Sequence, residues 1–240
     1  MIFSVIHYYA AMKIFETDSE TQTGTAALTK HTKRIHCQRC DRPQRTCICH
    51  WIVPVENRID VLLLQHPLEV SHVKGSARLL HLGLQHSRLV IGEQFDEQEL
   101  LSLLHAPLQS GEIAAPALLY PDDDGQQTCL PKAYEPNRLV ILDGTWRKSR
   151  KMLHLNPLLR ALPRIGLTDL PPSQYSIRKA HRNDQLSSYE AACHALARLE
   201  RDEKKYAPSL HAFEGFVSQQ ASYMPANKDA PPSDTLPATV

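Results

Sequence analysis

Five short apolar runs separated by helical patterns constrain this chain more than any other feature. Segment 57–65 contains Val61-Leu62-Leu63-Leu64, too short and too uniformly apolar for a surface helix and suited to a strand buried on both faces. Segments 87–92 (SRLVIG), 116–120 (PALLY), Arg138–Asp143 (RLVILD) and 163–167 read the same way. Between them, 72–82 reads as helix, 96–106 as an amphipathic helix capped by Asp96, and 145–155 as a helix broken at Asn156-Pro157. The helical signal is strongest in 187–204. There Ser187 and Glu190 have capping-box spacing, and Ala191, Ala192, Ala195, Leu196 and Leu199 form one apolar stripe. Strand and helix alternate, so the expected class is α/β with a largely parallel sheet.

The 240 residues carry a net charge of +1 and are 42% hydrophobic and 22% charged, which excludes a wholly basic nucleic-acid coat. No apolar run approaches the roughly 18 to 20 residues that cross a bilayer, so no membrane partner is expected. Segment 1–15 is apolar but has no basic residue ahead of its apolar stretch, which argues against a secretory signal and for a cytoplasmic protein translated from Met1 or Met12. Charge is uneven along the chain. Residues 30–58 carry +5 and 147–182 carry +8, whereas 93–130 hold eight acids and no Lys or Arg. Folded together, the two basic blocks would make a one-sided positive surface for a polyanion such as RNA. The composition predicts four regions: a mobile N-terminal segment 1–34, a cysteine knuckle 35–56, an α/β domain 57–218 and a disordered tail 219–240. Oligomeric state is left open.

Cys37, Cys40, Cys47 and Cys49 lie within CQRCDRPQRTCIC. Four thiols so close in a reducing compartment suit a tetrahedral soft-metal site, and zinc is the default because four thiolates close its shell. Such a site is structural. Arg39, Arg42 and Arg45 on the same loops would point outward as a nucleic-acid clamp. Cys129 and Cys193 have no partner spacing, and Cys193, in an Ala-rich helix, reads as a packed thiol. No Walker loop, G-x-G-x-x-G or G-x-S-x-G occurs, which counts against nucleotide kinases, dinucleotide oxidoreductases and α/β-hydrolases. Asp143-Gly144-Thr145-Trp146 stands just past an apolar strand, where open α/β sheets bind ligands. Asp143 can accept a proton or hydrogen bonds, Gly144 permits a sharp turn, and Trp146 can stack on a base. A plain Asp-Gly turn before a helix is the blander alternative.

The cysteine knuckle, Gln65-His66-Pro67-x-Glu69, Leu119-Tyr120-Pro121, Asp143-Gly144-Thr145-Trp146 and Leu186-Ser187-Ser188-Tyr189-Glu190-Ala191 occur here in that order. In this the chain resembles the DTW-domain family over about residues 35–205. Gly144 between Asp143 and Thr145, and Ser188 where Thr is common, are its two departures. The bacterial members are tRNA-uridine aminocarboxypropyltransferases. The resemblance implies that S-adenosylmethionine donates its 3-amino-3-carboxypropyl group to N3 of a variable-loop uridine in tRNA, releasing methylthioadenosine. It also implies a SPOUT-like sheet with a trefoil knot in the strand-end loops. Asp143 would be the general base, or would hold the donor's ribose or amino group. Leu119, Tyr120, Pro121, Gly144, Thr145, Trp146, Ser187, Tyr189 and Glu190 would line the donor site, and Arg178 would pair with the donor carboxylate. His66 and Glu69 would line the uridine pocket. Arg147, Lys148, Arg150, Lys151, Lys179 and Arg182 would meet tRNA phosphates. A SPOUT-type RNA methyltransferase and a non-catalytic zinc-knuckle RNA-binding protein are the competing readings.

Overall fold

The computed structural model describes residues 35–121, 134–167 and 186–223. Five strands form one all-parallel sheet: β1 (Asp60–Gln65), β2 (Ser87–Ile91), β3 (Pro116–Leu119), β4 (Arg138–Asp143) and β5 (Arg164–Ile165), in the order β2-β1-β4-β3-β5. The uniform apolar runs have the cause expected of them: alternate residues serve opposite faces, and both faces are covered. Val61, Leu63, Leu139 and Ile141 face one layer, while Leu62, Leu64, Val140 and Leu142 face the other. Each fully buried Leu contributes about 1.5–3 kcal/mol.

The first layer holds α1 (Ala77–Gly83), α5 (Ser188–Glu200) and α6 (Glu203–Ser222). The second holds α2 (Glu97–His105), α3 (Trp146–Leu155) and the short α4 (Pro157–Arg160). Chain direction explains where a ligand fits. From β1 the chain passes through α1 on the first face to β2 on one side. From β4 it passes through α3 and α4 on the second face to β5 on the other. The two paths diverge between the adjacent strands β1 and β4, whose carboxyl ends are where open sheets of this kind bind ligands.

Several boundaries differ from the sequence expectation. The helix expected over 72–82 begins only at Ala77, because 66–75 is a series of turns. The Ser187–Glu190 capping box forms with both reciprocal bonds, but α5 ends at Glu200 rather than 204. Arg201, at φ 55°, takes the left-handed conformation that ends helices and lets the Asp202 N–H reach the Ala197 carbonyl. Asp202 then caps α6 through the Lys205 N–H, and α6 runs past Pro208 to Ser222, four residues into the expected tail.

The unit containing these elements begins at Ile35, and the knuckle is built into it. Cys40 and Ile48 lie in the same core as Phe213 and Phe216 of α6. Trp51 fits over Gly215, where a Cβ would stand 2.1 Å from its ring, and its indole N–H donates to Gln219 at 2.6 Å. No helix among the described residues is long and apolar enough to cross a membrane. Segments 1–34, 122–133 and 168–185, with Cys129, Arg178, Lys179 and Arg182, lie outside the described residues.

Candidate active site and metal centre

β1 and β4 run in register to their ends, pairing Gln65 with Asp143. Asp143 is buried, and the Gln65 side-chain amide donates to its Oδ2 at 3.0 Å, fixing the carboxylate's orientation. One residue on, the His66 N–H donates to the Asp143 carbonyl at 3.0 Å. Gly144 lets the first turn of the following helix pack close. A Cβ there would lie 3.2 Å from Lys148 Cβ and 3.6 Å from His66 Cβ. Thr145 caps α3 by accepting from the Lys148 N–H, which starts the helix at Trp146.

The His66 ring joins three elements. Its Nδ1 accepts from the Leu68 N–H at 3.1 Å, so Nε2 carries the proton and donates to Glu93 Oε1 at 2.8 Å. The second Glu93 oxygen meets Lys151 Nζ at 2.8 Å. Lys151 first and His66 second hold the Glu93 carboxyl below its ordinary value. Both ring nitrogens are thus engaged, and His66 organises the site instead of standing ready as a base. Buried Glu69 pairs with Lys148 Nζ at 2.8 Å.

On the β3 side, the Tyr120 and Trp146 rings meet edge to face at 5.4 Å, and the Tyr120 hydroxyl lies 3.2 Å from Ser149 Oγ. Arg164 stands over the Tyr120 ring and donates to the Pro121 carbonyl at 3.2 Å. Trp146 keeps 46% of its surface exposed, unusual for a tryptophan seated on a buried tyrosine, and so offers a face for stacking.

Leu119, Tyr120, Pro121, His66, Glu69 and the 143–146 run therefore gather at the strand ends. Other expected site residues also make contacts within the fold. Lys148 and Lys151 pair with Glu69 and Glu93, while Arg147 and Arg150 remain exposed on α3. Ser187 and Glu190 are buried in the capping box, and Tyr189 stacks on Phe213 at 4.5 Å while donating to the Ser209 carbonyl. Arg42 is not turned outward, since its guanidinium bonds the Val73 and Gly75 carbonyls. Sequence reasoning missed Glu93, whose one signal was its place just past β2, and the roles of Ser149 and Arg164, which left none.

The sulfurs of Cys37, Cys40, Cys47 and Cys49 all lie within 4.8 Å of one another, with Cys37–Cys49 at 3.6 Å and Cys40–Cys47 at 3.8 Å. A tetrahedral site with metal–sulfur bonds of about 2.3 Å has edges of about 3.8 Å, so the cluster fits a metal ion. Four thiols this close do not all ionise unaided. The backbone N–H groups of Cys40 and Arg39 bring Cys37 down to about 6, whereas burial and then the Cys37 sulfur push Cys49 up to about 12. A bound cation removes that conflict. Cys193 is buried, and burial raises its thiol, as befits a packed side chain.

Fold and site together define a parallel α/β protein with polar and aromatic side chains gathered at the strand ends and a four-cysteine cluster that could hold a metal ion. The chain belongs to the DTW domain family, whose model matches residues 34–221. It is similar to tRNA-uridine aminocarboxypropyltransferase 2 of Mus musculus, 30% identical over 177 residues that cover 71% of this chain and 58% of that protein. The Macaca fascicularis protein of the same name is 28% identical over 198 residues, covering 80% and 65%; that of Drosophila melanogaster is 30% identical over 173, covering 70% and 68%. The chain thus spans roughly three fifths of the length of the first two relatives, 58% and 65%. No solved structure matches.

Proposed function

We propose that this protein is a tRNA-uridine aminocarboxypropyltransferase, moving the 3-amino-3-carboxypropyl group of S-adenosylmethionine to N3 of a variable-loop uridine and releasing methylthioadenosine. The observation that carries the proposal is the placement of Gln65-bound Asp143 and the Tyr120–Trp146 aromatic step at the strand ends where the sheet's connections diverge. The relatives' names, tRNA-uridine aminocarboxypropyltransferase 2, support the general activity.

The donor's sulfonium makes each attached carbon electrophilic, so the chain selects the product by orientation. Trp146 and Tyr120 offer the adenine a stacking wall, and Arg164 behind Tyr120 stiffens it. Asp143 takes the proton from uridine N3. As the N3–carbon bond forms, the carbon–sulfur bond breaks and its electron pair stays on sulfur. Gln65 holds the carboxylate in place for that transfer. Arg147 and Arg150 meet tRNA phosphates, while Lys148 and Lys151 hold Glu69 and Glu93 in position. The four cysteines hold structural zinc, and the protein works in the cytoplasm. A SPOUT-like knot is part of the same reading. Its support is that β4 enters the sheet between β1 and β3, both earlier in the chain.

The test is product analysis after incubation with unmodified tRNA and S-adenosylmethionine. Methylthioadenosine with a matching mass gain on uridine supports the proposal. S-adenosylhomocysteine with a methyl gain would establish a methyltransferase instead, and no product with bound tRNA would establish a binding protein.

A further inference from the structure

The loop between β1 and α1 carries His66 and Glu69, yet little of it is packed: Leu68, Val70 and Val73 are exposed. Its backbone is three turns in series. The Glu69 N–H donates to the His66 carbonyl at 2.8 Å, the His72 N–H to Glu69 at 3.0 Å, and the Gly75 N–H to His72 at 2.8 Å. Such a chain is fixed only as well as its anchors, and in its first half Lys148 holds the buried Glu69 carboxylate at 2.8 Å. β1 and the His66–Glu93 bond fix one end.

Arg42 holds the other. Its Nη1 donates to the Val73 carbonyl at 2.9 Å and its Nη2 to the Gly75 carbonyl at 2.6 Å, two acceptors that suit a planar fork and that one ammonium does not span. The guanidinium lies 5.6 Å from the Phe216 ring centre on α6. At Gly75 the turns are tight, since a Cβ would meet the His72 oxygen at 3.1 Å and the Glu69 oxygen at 3.3 Å. Arg42 sits between Cys40 and Cys47, so the cluster that sets the knuckle's shape also sets where this fork points.

We propose that Arg42 is a positioning residue that couples metal binding at the knuckle to the placement of His66 and Glu69 at the strand-end site. A loaded knuckle holds the turn series taut, and an empty one lets it slacken. Only the kinetic consequence, weaker use of tRNA, rests on the function proposed above.

Hydrogen exchange on the full chain tests it, metal-loaded and metal-stripped, for wild type, Arg42→Ala and Arg42→Lys. In loaded Arg42→Ala, the Glu69, His72 and Gly75 amides should exchange about tenfold faster, with metal content and the β1, β4 and α6 amides unchanged. Arg42→Lys should fall between, and it carries the comparison should the alanine variant not fold. Stripping metal should loosen the same amides in wild type but add little in Arg42→Ala. Unchanged exchange in that variant, a rise spread evenly over knuckle, loop and α6, or equal effects of stripping in both proteins would overturn the proposal. In transfer assays the tRNA KM should rise in Arg42→Ala while the donor KM holds; a rise in donor KM alone counts against it. Wild type with the predicted exchange pattern but no transfer would defeat the functional reading and leave the tether standing.

Discussion

Asp143, His66 and Glu93 divide the work at the strand ends by their hydrogen bonds. Asp143 is oriented by Gln65, and as the proposed base its replacement in Asp143→Ala should lower transfer by about 10²- to 10⁴-fold with folding and tRNA affinity retained. Unchanged transfer in a folded variant would remove it from the chemistry. Trp146→Ala should raise the donor KM by about tenfold or more, since a base–aromatic stack is worth about 1–3 kcal/mol. Glu93 yields a prediction in pH. Its folded value is lowered by Lys151 and His66, so its contribution to stability is present above the ordinary value of 4.5 and is lost as pH falls through the lowered one. Urea midpoints should therefore fall less between pH 7 and pH 3 in Glu93→Gln than in wild type; equal losses would show that the pair carries no linkage. Asp143 was legible in the sequence because a carboxylate ended an apolar run. The His66–Glu93–Lys151 chain was not, because its members are 27 and 58 residues apart and only the β2-β1-β4 order unites them.

At the scale of elements, the strands were readable because burial on both faces makes them continuous apolar runs. The end of α5 was not, because Arg201 gives no hint of a left-handed cap where Gly would. Arg201→Gly should raise stability by about 0.5–1 kcal/mol in denaturant unfolding, by relieving that conformation. A loss would mean the Arg201 side chain contributes more than its backbone costs. Helix α6 escaped notice because Pro208 and Gly215 interrupt its pattern, yet Gly215 has a positive role beneath Trp51. Gly215→Ala should destabilise the protein by about 1–3 kcal/mol, because the indole must shift to admit the methyl group. An unshifted midpoint would show that the knuckle tolerates displacement.

Among the described residues, the two basic blocks each send one side chain to the same loop. Arg42 from the first and Lys148 from the second grip the same β1–α1 loop, one through Val73 and Gly75, the other through Glu69. The knuckle is part of the core, so verified metal removal should lower the global melting temperature, and a Tm unchanged by stripping would separate the centre from the fold. The central claim is that the strand-end site aims the amino-acid arm of the donor, and not its methyl group, at an RNA pyrimidine. Donor labelled differently in the arm and the methyl group, incubated with unmodified tRNA, tests it most directly. Arm label on uridine in wild type, absent with Asp143→Ala although tRNA stays bound, is the predicted result; methyl label on the tRNA, or arm label undiminished in the variant, would contradict it.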